Sequence, residues 1–141
     1  MAVDIRRLGS GDEQAVLAAG GLFDDAPRPD ATRRFLGEPN HHLLIAYDAI
    51  GTPLGFVSGV ETTHPDKGTE MFLYELGIDE PARRQGVGRA LVEALVQLAR
   101  ERGCYGMWTG TASTNEAALA TYRSAGGQPS EGTVMLDWDL R

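Results

Sequence analysis

The chain has 141 residues, 42% of them apolar and 23% charged, with a formal net charge of −7. This is the composition of one folded globular domain, residues 1–141, with enough chain to bury a core and no signature of disorder. The acidic balance argues against a nucleic-acid binder, whose footprint would be basic, and suits a cationic partner.

No apolar run is long enough to span a bilayer, and Met1 to Asp4 lacks a signal-peptide pattern. The one cysteine, Cys104, cannot form an internal disulfide, so the expected compartment is a reducing cytoplasm. Cys104 follows Gly103 and opens an apolar stretch, the setting of a buried structural thiol.

Val3, Ile5 and Leu8 alternate with polar residues and predict a first strand over about Ala2 to Leu8. Asp12 is placed to cap a helix carrying Ala15, Val16, Leu17 and Ala19 towards Leu22. Pro27 and Pro29 stop that pattern, and a second short helix follows from Asp30 to Gly37. Asp24 and Asp25 therefore fall on the connection between two helices, where taken alone they are solvated loop acids.

Leu43 to Tyr47 reads as a strand, Asp48 to Pro53 as a turn, and Leu54 to Val60 as the antiparallel return. A loop, Glu61 to Thr69, leads to the strand Met71 to Ile78. Gly55 and Gly59 inside a strand pattern predict close backbone approach or bulges. Gly86 to Arg102 is the clearest helix, with Val87, Ala90, Leu91, Ala94, Leu95, Leu98 and Ala99 on one face and Gly103 as its stop. Tyr105 to Gly110 is the next strand. Ser113 and Glu116 have the spacing of a capping box, with Asn115 competing as cap, for a helix ending at Gly126-Gly127. A last strand, Thr133 to Leu140, alternates apolar with acidic residues.

This order implies an α/β fold with a mixed sheet of about six strands. The hairpin-joined strands form an antiparallel half, and strand–helix–strand through Gly86–Arg102 forms a right-handed parallel crossover.

Between the Met71–Ile78 strand and the long helix runs Arg83-Arg84-Gln85-Gly86-Val87-Gly88-Arg89. Gly86 and Gly88 leave backbone N–H groups uncovered, and the helix start adds unpaired donors and the positive end of its dipole. Such a loop suits a phosphate or pyrophosphate. It is not a Walker loop, because Arg89-Ala90 stands where Lys and Ser or Thr are needed. It is not a dinucleotide fingerprint, because Leu91 takes the third glycine's place. The three histidines lack metal-ligand spacing, and the adjacent His41 and His42 would point to opposite faces of a strand, so no metal is expected.

The arrangement Arg83-Arg84-Gln85-Gly86-Val87-Gly88 resembles the acetyl-CoA loop of the GNAT superfamily of acetyltransferases, whose pattern is Gln or Arg, two residues, Gly, one residue, then Gly or Ala. The resemblance implies the GNAT fold, a mixed six- to seven-stranded sheet flanked by about four helices, with parallel strands splayed at the acetyl-CoA site. Acetyl-CoA is the implied cosubstrate, with no metal. Leu76, Gly77 and Ile78 would offer backbone groups to its pantetheine arm and to an oxyanion, and Arg83, Arg84, Gln85, Gly86, Val87, Gly88 and Arg89 would hold its phosphates. The stretch Asn115-Glu116-Ala117-Ala118-Leu119-Ala120-Thr121-Tyr122, followed by Gly126, resembles the family's motif of Asn, then Ala, then Tyr before a glycine turn. There Asn115 would cap or contact the cofactor, and the Tyr122 hydroxyl would protonate the leaving thiolate, while its ring packs in the core.

Glu75 precedes Leu76-Gly77 on the strand entering the loop, among apolar neighbours that would raise a carboxylate pKa. It is the candidate base. The bland alternatives are a solvent-facing strand residue or an electrostatic anchor for a substrate ammonium.

Leu22-Phe23-Asp24-Asp25, His64-Pro65-Asp66-Lys67, Met71-Phe72-Leu73-Tyr74-Glu75-Leu76 and Val134-Met135-Leu136-Asp137-Trp138-Asp139 resemble the small aminoglycoside 3-N-acetyltransferases of the fortimicin type. Some of these carry Asp where Glu75 stands. The likeness implies direct acetyl transfer to the 3-amine of an aminoglycoside, and a homodimer. Asp24, Asp25, His64, Tyr74, Glu75, Asp137 and Asp139 would face the polycation. Two other readings keep a different acceptor or none: another small amine or protein amine, and a non-catalytic acyl-CoA-binding module.

Overall fold

A computed structural model describes residues 2–141. Its elements are β1 (Asp4–Leu8), α1 (Glu13–Ala18), a 3-10 turn (Gly20–Leu22), α2 (Pro29–Gly37), β2 (His41–Tyr47), β3 (Pro53–His64), β4 (Gly68–Ile78), a 3-10 turn (Glu80–Ala82), α3 (Val87–Glu101), β5 (Met107–Trp108) and α4 (Glu116–Ser124). The strands form one sheet in the order β1-β2-β3-β4-β5. The first three pairings are antiparallel and the last, across α3, is parallel.

β2 is buried along nearly all its length, which is why it reads as a continuous apolar run. Its Leu43, Ile45 and Tyr47 pack with Phe56 against Val16, Ala19 and Leu36 of the α1–α2 layer. Its Leu44 and Ala46 face the other way and join Val57, Met71 and Leu73 under Val87, Leu91, Leu95 and Leu98 of α3. Each buried Val, Leu, Ile, Phe or Met among them contributes about 1.5–3 kcal/mol. A Cβ on Gly59 would lie 2.9 Å from both Leu95 and Met71, so this glycine lets α3 seat against the sheet. Both long helices end in the same way. The N–H of Cys104 reaches Ala99 and that of Gly103 reaches Arg100; the N–H of Gly127 reaches Tyr122 and that of Gly126 reaches Arg123. Gly103 and Gly126 supply the positive φ these stops require.

A polar network fastens the antiparallel half. His42 is wholly buried, with its Nδ1 2.9 Å from the Arg7 guanidinium and its Nε2 2.6 Å from Glu61. Arginine can only donate, so Nδ1 accepts and Nε2–H donates to the carboxylate, which is the neutral tautomer. Arg102 donates to the same Glu61 oxygen at 2.8 Å. Burial lowers the His42 pKa, countered only in part by Glu61. Burial pushes Glu61 up, but its bonds from His42 and Arg102 outweigh that and hold it below its ordinary value.

The fold is the α/β arrangement expected, with differences in detail. The sheet has five strands among the described residues, not six or seven, because Thr133–Leu140 pairs with nothing and the expected strand Tyr105–Gly110 shortens to two residues. The expected loop Glu61–Thr69 is mostly hairpin. Thr62 and Thr63 pair with Glu70 and Thr69, since β-branched residues extend the ladder to a tight turn after His64. Asp12 precedes α1 but makes no side-chain cap; its carboxylate accepts from the Gly9 N–H at 2.7 Å. At α4 the cap is Asn115, whose Oδ1 accepts from the Ala118 N–H at 3.1 Å, and the Ser113–Glu116 box does not form. Asn115 holds the cap position itself, one residue before the helix begins, so Ser113 lies too early to serve it.

Candidate active site

Along β4, Met71 and Leu73 lie in the α3-side core, and period-two alternation would send residue 75 the same way. It does not. Leu73 pairs with Gly59 but Glu75 pairs with Ser58, which leaves Tyr74 as an extra residue, a β-bulge. Beyond the bulge Leu76 and Ile78 pack on the α3 side, so Glu75 and Gly77 are turned to the α1–α2 side. The Ser58 hydroxyl accepts the Glu75 N–H at 3.2 Å and braces the bulge. A Cβ on Gly77 would lie 2.6 Å from the Phe56 ring and 2.9 Å from the Leu22 carbonyl, so Gly77 lets the Gly20–Leu22 turn close over the sheet. Asp24 and Asp25 follow directly. Burial pushes the half-buried Glu75 carboxyl up, and the negative charges of Asp24 and Asp25 push it further. Three acids from two distant parts of the chain thus form one cluster.

The bulge also marks where the sheet opens. β5 pairs with β4 only at Met71–Met107 and Phe72–Trp108. The Thr109 hydroxyl then donates to the Leu73 carbonyl at 2.9 Å, and past that point the β5-side edge of β4 has no partner strand among the described residues. The two parallel strands separate into a fork. Tyr122 of α4 packs against the α3-side core and reaches the fork from the face opposite Glu75. Burial pushes the Tyr122 phenol up, and the adjacent Thr109 hydroxyl draws it partly back. The Thr109 hydroxyl thus holds the strand at the split and stands close enough to the tyrosine to bear on its titration.

The loop after β4 turns left-handed at Arg84 (φ 62°) and Gly86 (φ 82°). A positive φ at a non-glycine residue is a strained conformation of the kind found at ligand clamps. Gly86 has open space where a Cβ would stand. The first bond of α3 is Ala90 N–H to the Gly86 carbonyl, so the N–H groups of Val87, Gly88 and Arg89 have no helical acceptor. The chain here fits a diphosphate: open backbone, spare donors and the positive helix end. Gly88 has another reason to be glycine, since a Cβ there would lie 3.1 Å from the Thr121 methyl of α4. Side chains of the loop are largely occupied. Arg83 donates to the Ile78 carbonyl, Gln85 to the Pro81 carbonyl, and Arg89 pairs with Glu93.

Other predicted residues stand apart. His64 sits at the hairpin tip with its Nε2 3.2 Å from Glu70, five strand residues from Glu75 by way of that partner. At about 3.3 Å per residue that is roughly 16 Å, too far for a proton relay between them. Asp139 bonds to Arg141 and, like Asp137, is exposed on the C-terminal segment. Tyr74 is 64% exposed at the bulge. Ser58 and Thr109 are the residues at the bulge and the split that sequence reasoning missed. Ser58 left one trace, a hydroxyl in the middle of an apolar strand, and Thr109 left none.

A surface hollow of about 310 Å³ lies elsewhere, lined by Arg7, Leu36, Glu38 and His41 among others, and holds none of these groups. No group of three or more metal-ligating side chains is found among the described residues.

The profile of the acetyltransferase (GNAT) family matches residues 13–126. The chain belongs to the GNAT acetyltransferase family. It is 39% identical over 57 residues to the [ribosomal protein bS18]-alanine N-acetyltransferase of Escherichia coli K12, which is 40% of this chain and 38% of that relative's length. In structure it is similar to an aminoglycoside acetyltransferase from an uncultured soil metagenomic sample, solved in complex with sisomicin. The TM-score is 0.88 at 20% identity, covering 99% of this chain and 97% of that one. A third likeness is to AAC(6')-Iy bound to the bisubstrate analogue CoA-S-monomethyl-acetylneamine, with a TM-score of 0.82, 18% identity, and coverage of 99% and 100%. At such identities the structural likeness carries the GNAT fold. GNAT acetyltransferases use acetyl-CoA, and the Gly86 loop and the β4 edge are the parts of this chain suited to it.

Proposed function

We propose that this GNAT acetyltransferase acetylates an aminoglycoside at its 3-amine, by direct transfer within a ternary complex. The observation that carries the reading is the acid cluster of Glu75, Asp24 and Asp25 beside the fork. A single amine needs one counter-charge. Three carboxylates converging from two chain segments fit an acceptor bearing several ammonium groups.

Glu75 acts as the base. Its raised pKa brings it closer to the working pH, so it can take a proton from an ammonium and release it again. Acetyl-CoA, when bound, supplies an acetyl group activated as a thioester. The amides of Val87, Gly88 and Arg89 hold its phosphates, and the open edge of β4 at Leu76–Ile78 aligns its arm and offers an N–H to the oxyanion. As the C–N bond forms and the C–S bond breaks, Tyr122 gives its phenolic proton to the departing sulfur. The acceptor starts as an ammonium: its first proton leaves through Glu75, and the second, lost as the amide forms, replaces the one Tyr122 gave up. Thr109 fixes where the phenol stands. Asp24, Asp25 and Tyr74 contact the remaining sugar rings.

A second reading, a protein α-amine, draws on the 39% identity to the ribosomal alanine N-acetyltransferase. It leaves Asp24 and Asp25 without a use. The test incubates the chain with acetyl-CoA and gentamicin, sisomicin or fortimicin, and in parallel with a peptide beginning in alanine, while free thiol is followed. Turnover on the antibiotics well above the peptide is expected, with the acetyl group found on the 3-amine by NMR. Turnover on the peptide alone would overturn the substrate class, and acetylation elsewhere on the antibiotic would overturn the position.

A further inference from the structure

The face of the sheet that carries Glu75 is only partly roofed. The α1–α2 layer packs on β2 and β3 through Leu43, Ile45, Tyr47 and Phe56, and Phe72, Tyr74 and Trp108 are not among the side chains it covers. Phe72 lies between Met71 and Leu73 of the α3-side core and so points the other way. Its ring packs on Trp108 with 4.3 Å between centroids and meets the Tyr74 ring edge-on at 5.9 Å. Trp108 is 46% and Tyr74 64% exposed. Contiguous aromatic surface left in water marks a place where another molecule binds.

This floor is continuous with the acid cluster. The bulge that turns Glu75 onto the face leaves Tyr74 directly beside it. Phe72 stands three residues before Glu75, roughly 10 Å along the strand. At the far end is Glu70, on the same face as Phe72 because the pairing from Glu70–Thr62 to Phe72–Val60 is regular. Its carboxylate accepts from the Tyr105 hydroxyl at 2.9 Å and lies 3.2 Å from the His64 ring. The strip therefore runs acid, aromatics, acid, and Met71 to Tyr74 place no cation between them.

We propose that Phe72, Tyr74 and Trp108 are the floor of a second acceptor subsite, which takes the C–H face of a sugar ring next to the one being acetylated. This rests on the aminoglycoside reading of the site. Charge and shape select the occupant. A purely apolar ligand would leave the carboxylates at both ends unanswered, and a linear polyamine has no face to lay on the rings. A polycationic glycoside has both. Its ammonium groups answer the acids, and they make the neighbouring ring C–H hydrogens more positive, which the negative faces of aromatic rings attract. The offset of roughly 10 Å between Phe72 and Glu75 puts the floor under a neighbouring ring and clear of the reacting amine. Trp108 carries the largest face and sets the preference. A contact so far from the reacting atoms is the same before and during transfer, so it acts on KM and leaves kcat nearly alone.

The test compares gentamicin as acceptor with 2-deoxystreptamine as competitor, the single ring that bears the 3-amine. It also titrates tryptophan fluorescence with gentamicin in a Trp138→Phe background, where Trp108 is the remaining tryptophan. Trp108→Ala is expected to raise the KM for gentamicin about tenfold while kcat and the inhibition constant of 2-deoxystreptamine move little, and Trp108→Phe is expected to recover most of the loss. Gentamicin is expected to shift Trp108 emission saturably to the blue as the ring leaves water. An unchanged gentamicin KM in Trp108→Ala, or an equal loss for the single ring, would overturn the subsite. So would an emission that gentamicin leaves unmoved, and that readout does not depend on the alanine variant folding. The two readings fail separately. Acetylation of gentamicin without the blue shift removes the floor and keeps the acceptor, whereas the blue shift without acetylation keeps the floor and removes the acceptor.

Discussion

The two halves of the sheet use their strands differently. From β1 to β3 the ladders run the length of the strands with one irregularity at Ala46–Tyr47, β2 is covered on both faces, and the buried His42 and Glu61 are answered by Arg7 and Arg102. From β4 to β5 the pairing lasts two residues, the strands part, and the acids gathered at Glu75 repel one another. The first half spends its polar groups on holding shape. The second leaves backbone and carboxylate unmatched, which is the condition of a site that still has a substrate to bind.

If that division holds, substitutions in the open half change the rate and those in the closed half change stability. The largest effect is expected at Glu75. Glu75→Gln should lower kcat/KM by about 10²–10⁴-fold without changing the melting temperature greatly. Because a base must be deprotonated and this carboxyl titrates above its ordinary 4.5, the wild-type rate should fall with acid from a higher pH than for a free glutamate, and the variant should lose that limb. A pH–rate profile with the same limb in both would remove Glu75 from the chemistry.

On the closed side, Glu61→Ala should cost about 3 kcal/mol in chemical unfolding, because it strands a buried histidine and an arginine. Its pH signature has a definite sign. Glu61 is held below its ordinary 4.5, so its contribution is present above that pH and fades as pH falls through the lower folded value. His42 is held below its ordinary 6.5, so the unfolded chain takes up a proton first as pH falls below 6.5, and stability drops from there. The variant should keep the His42 region of the curve and lose the more acidic part. Equal stability of variant and wild type at pH 7 would contradict the reading of the network.

Tyr122→Phe should reduce kcat by about a hundredfold with little effect on KM, since it removes only a proton donor. Next in size, Asp24→Asn with Asp25→Asn should raise the KM for an aminoglycoside by about tenfold and leave the KM for a singly charged amine unchanged. Relieving Glu75 of two negative neighbours should also move the acid limb of the profile to lower pH. The smallest change is expected at Thr109. Thr109→Val should cut kcat a few-fold, on the order of 1 kcal/mol for one hydrogen bond, while Thr109→Ser restores it. Failure of serine to rescue would mean that the threonine only packs.

Much of this was legible in the chain itself. Helix α3 could be placed because a regular apolar stripe and a glycine stop are local facts, as could the loop before it, whose glycines and helix start lie side by side. Glu75 and Tyr122 could be singled out as residue types in a recognised setting. The face on which Glu75 lies could not. Alternation alone would have turned it towards α3, and only the pairing of Ser58 with Glu75 shows the extra residue at Tyr74 that reverses it. Thr109 was invisible for a related reason, since its partners Leu73 and Tyr122 come from other elements. The C-terminal segment shows the opposite failure, because its alternating pattern reads as a strand although this chain offers it no partner.

Periodicity, caps and glycine loops are written within a few consecutive residues, so the sequence by itself determined the helices, the glycine turn at the start of α3 and the membership of the chain in its class of fold. Strand register is a relation between distant segments, and one extra residue in it inverts every side chain that follows. The tertiary structure therefore decided which acids meet, where the sheet divides, and which surfaces are left for another molecule to cover.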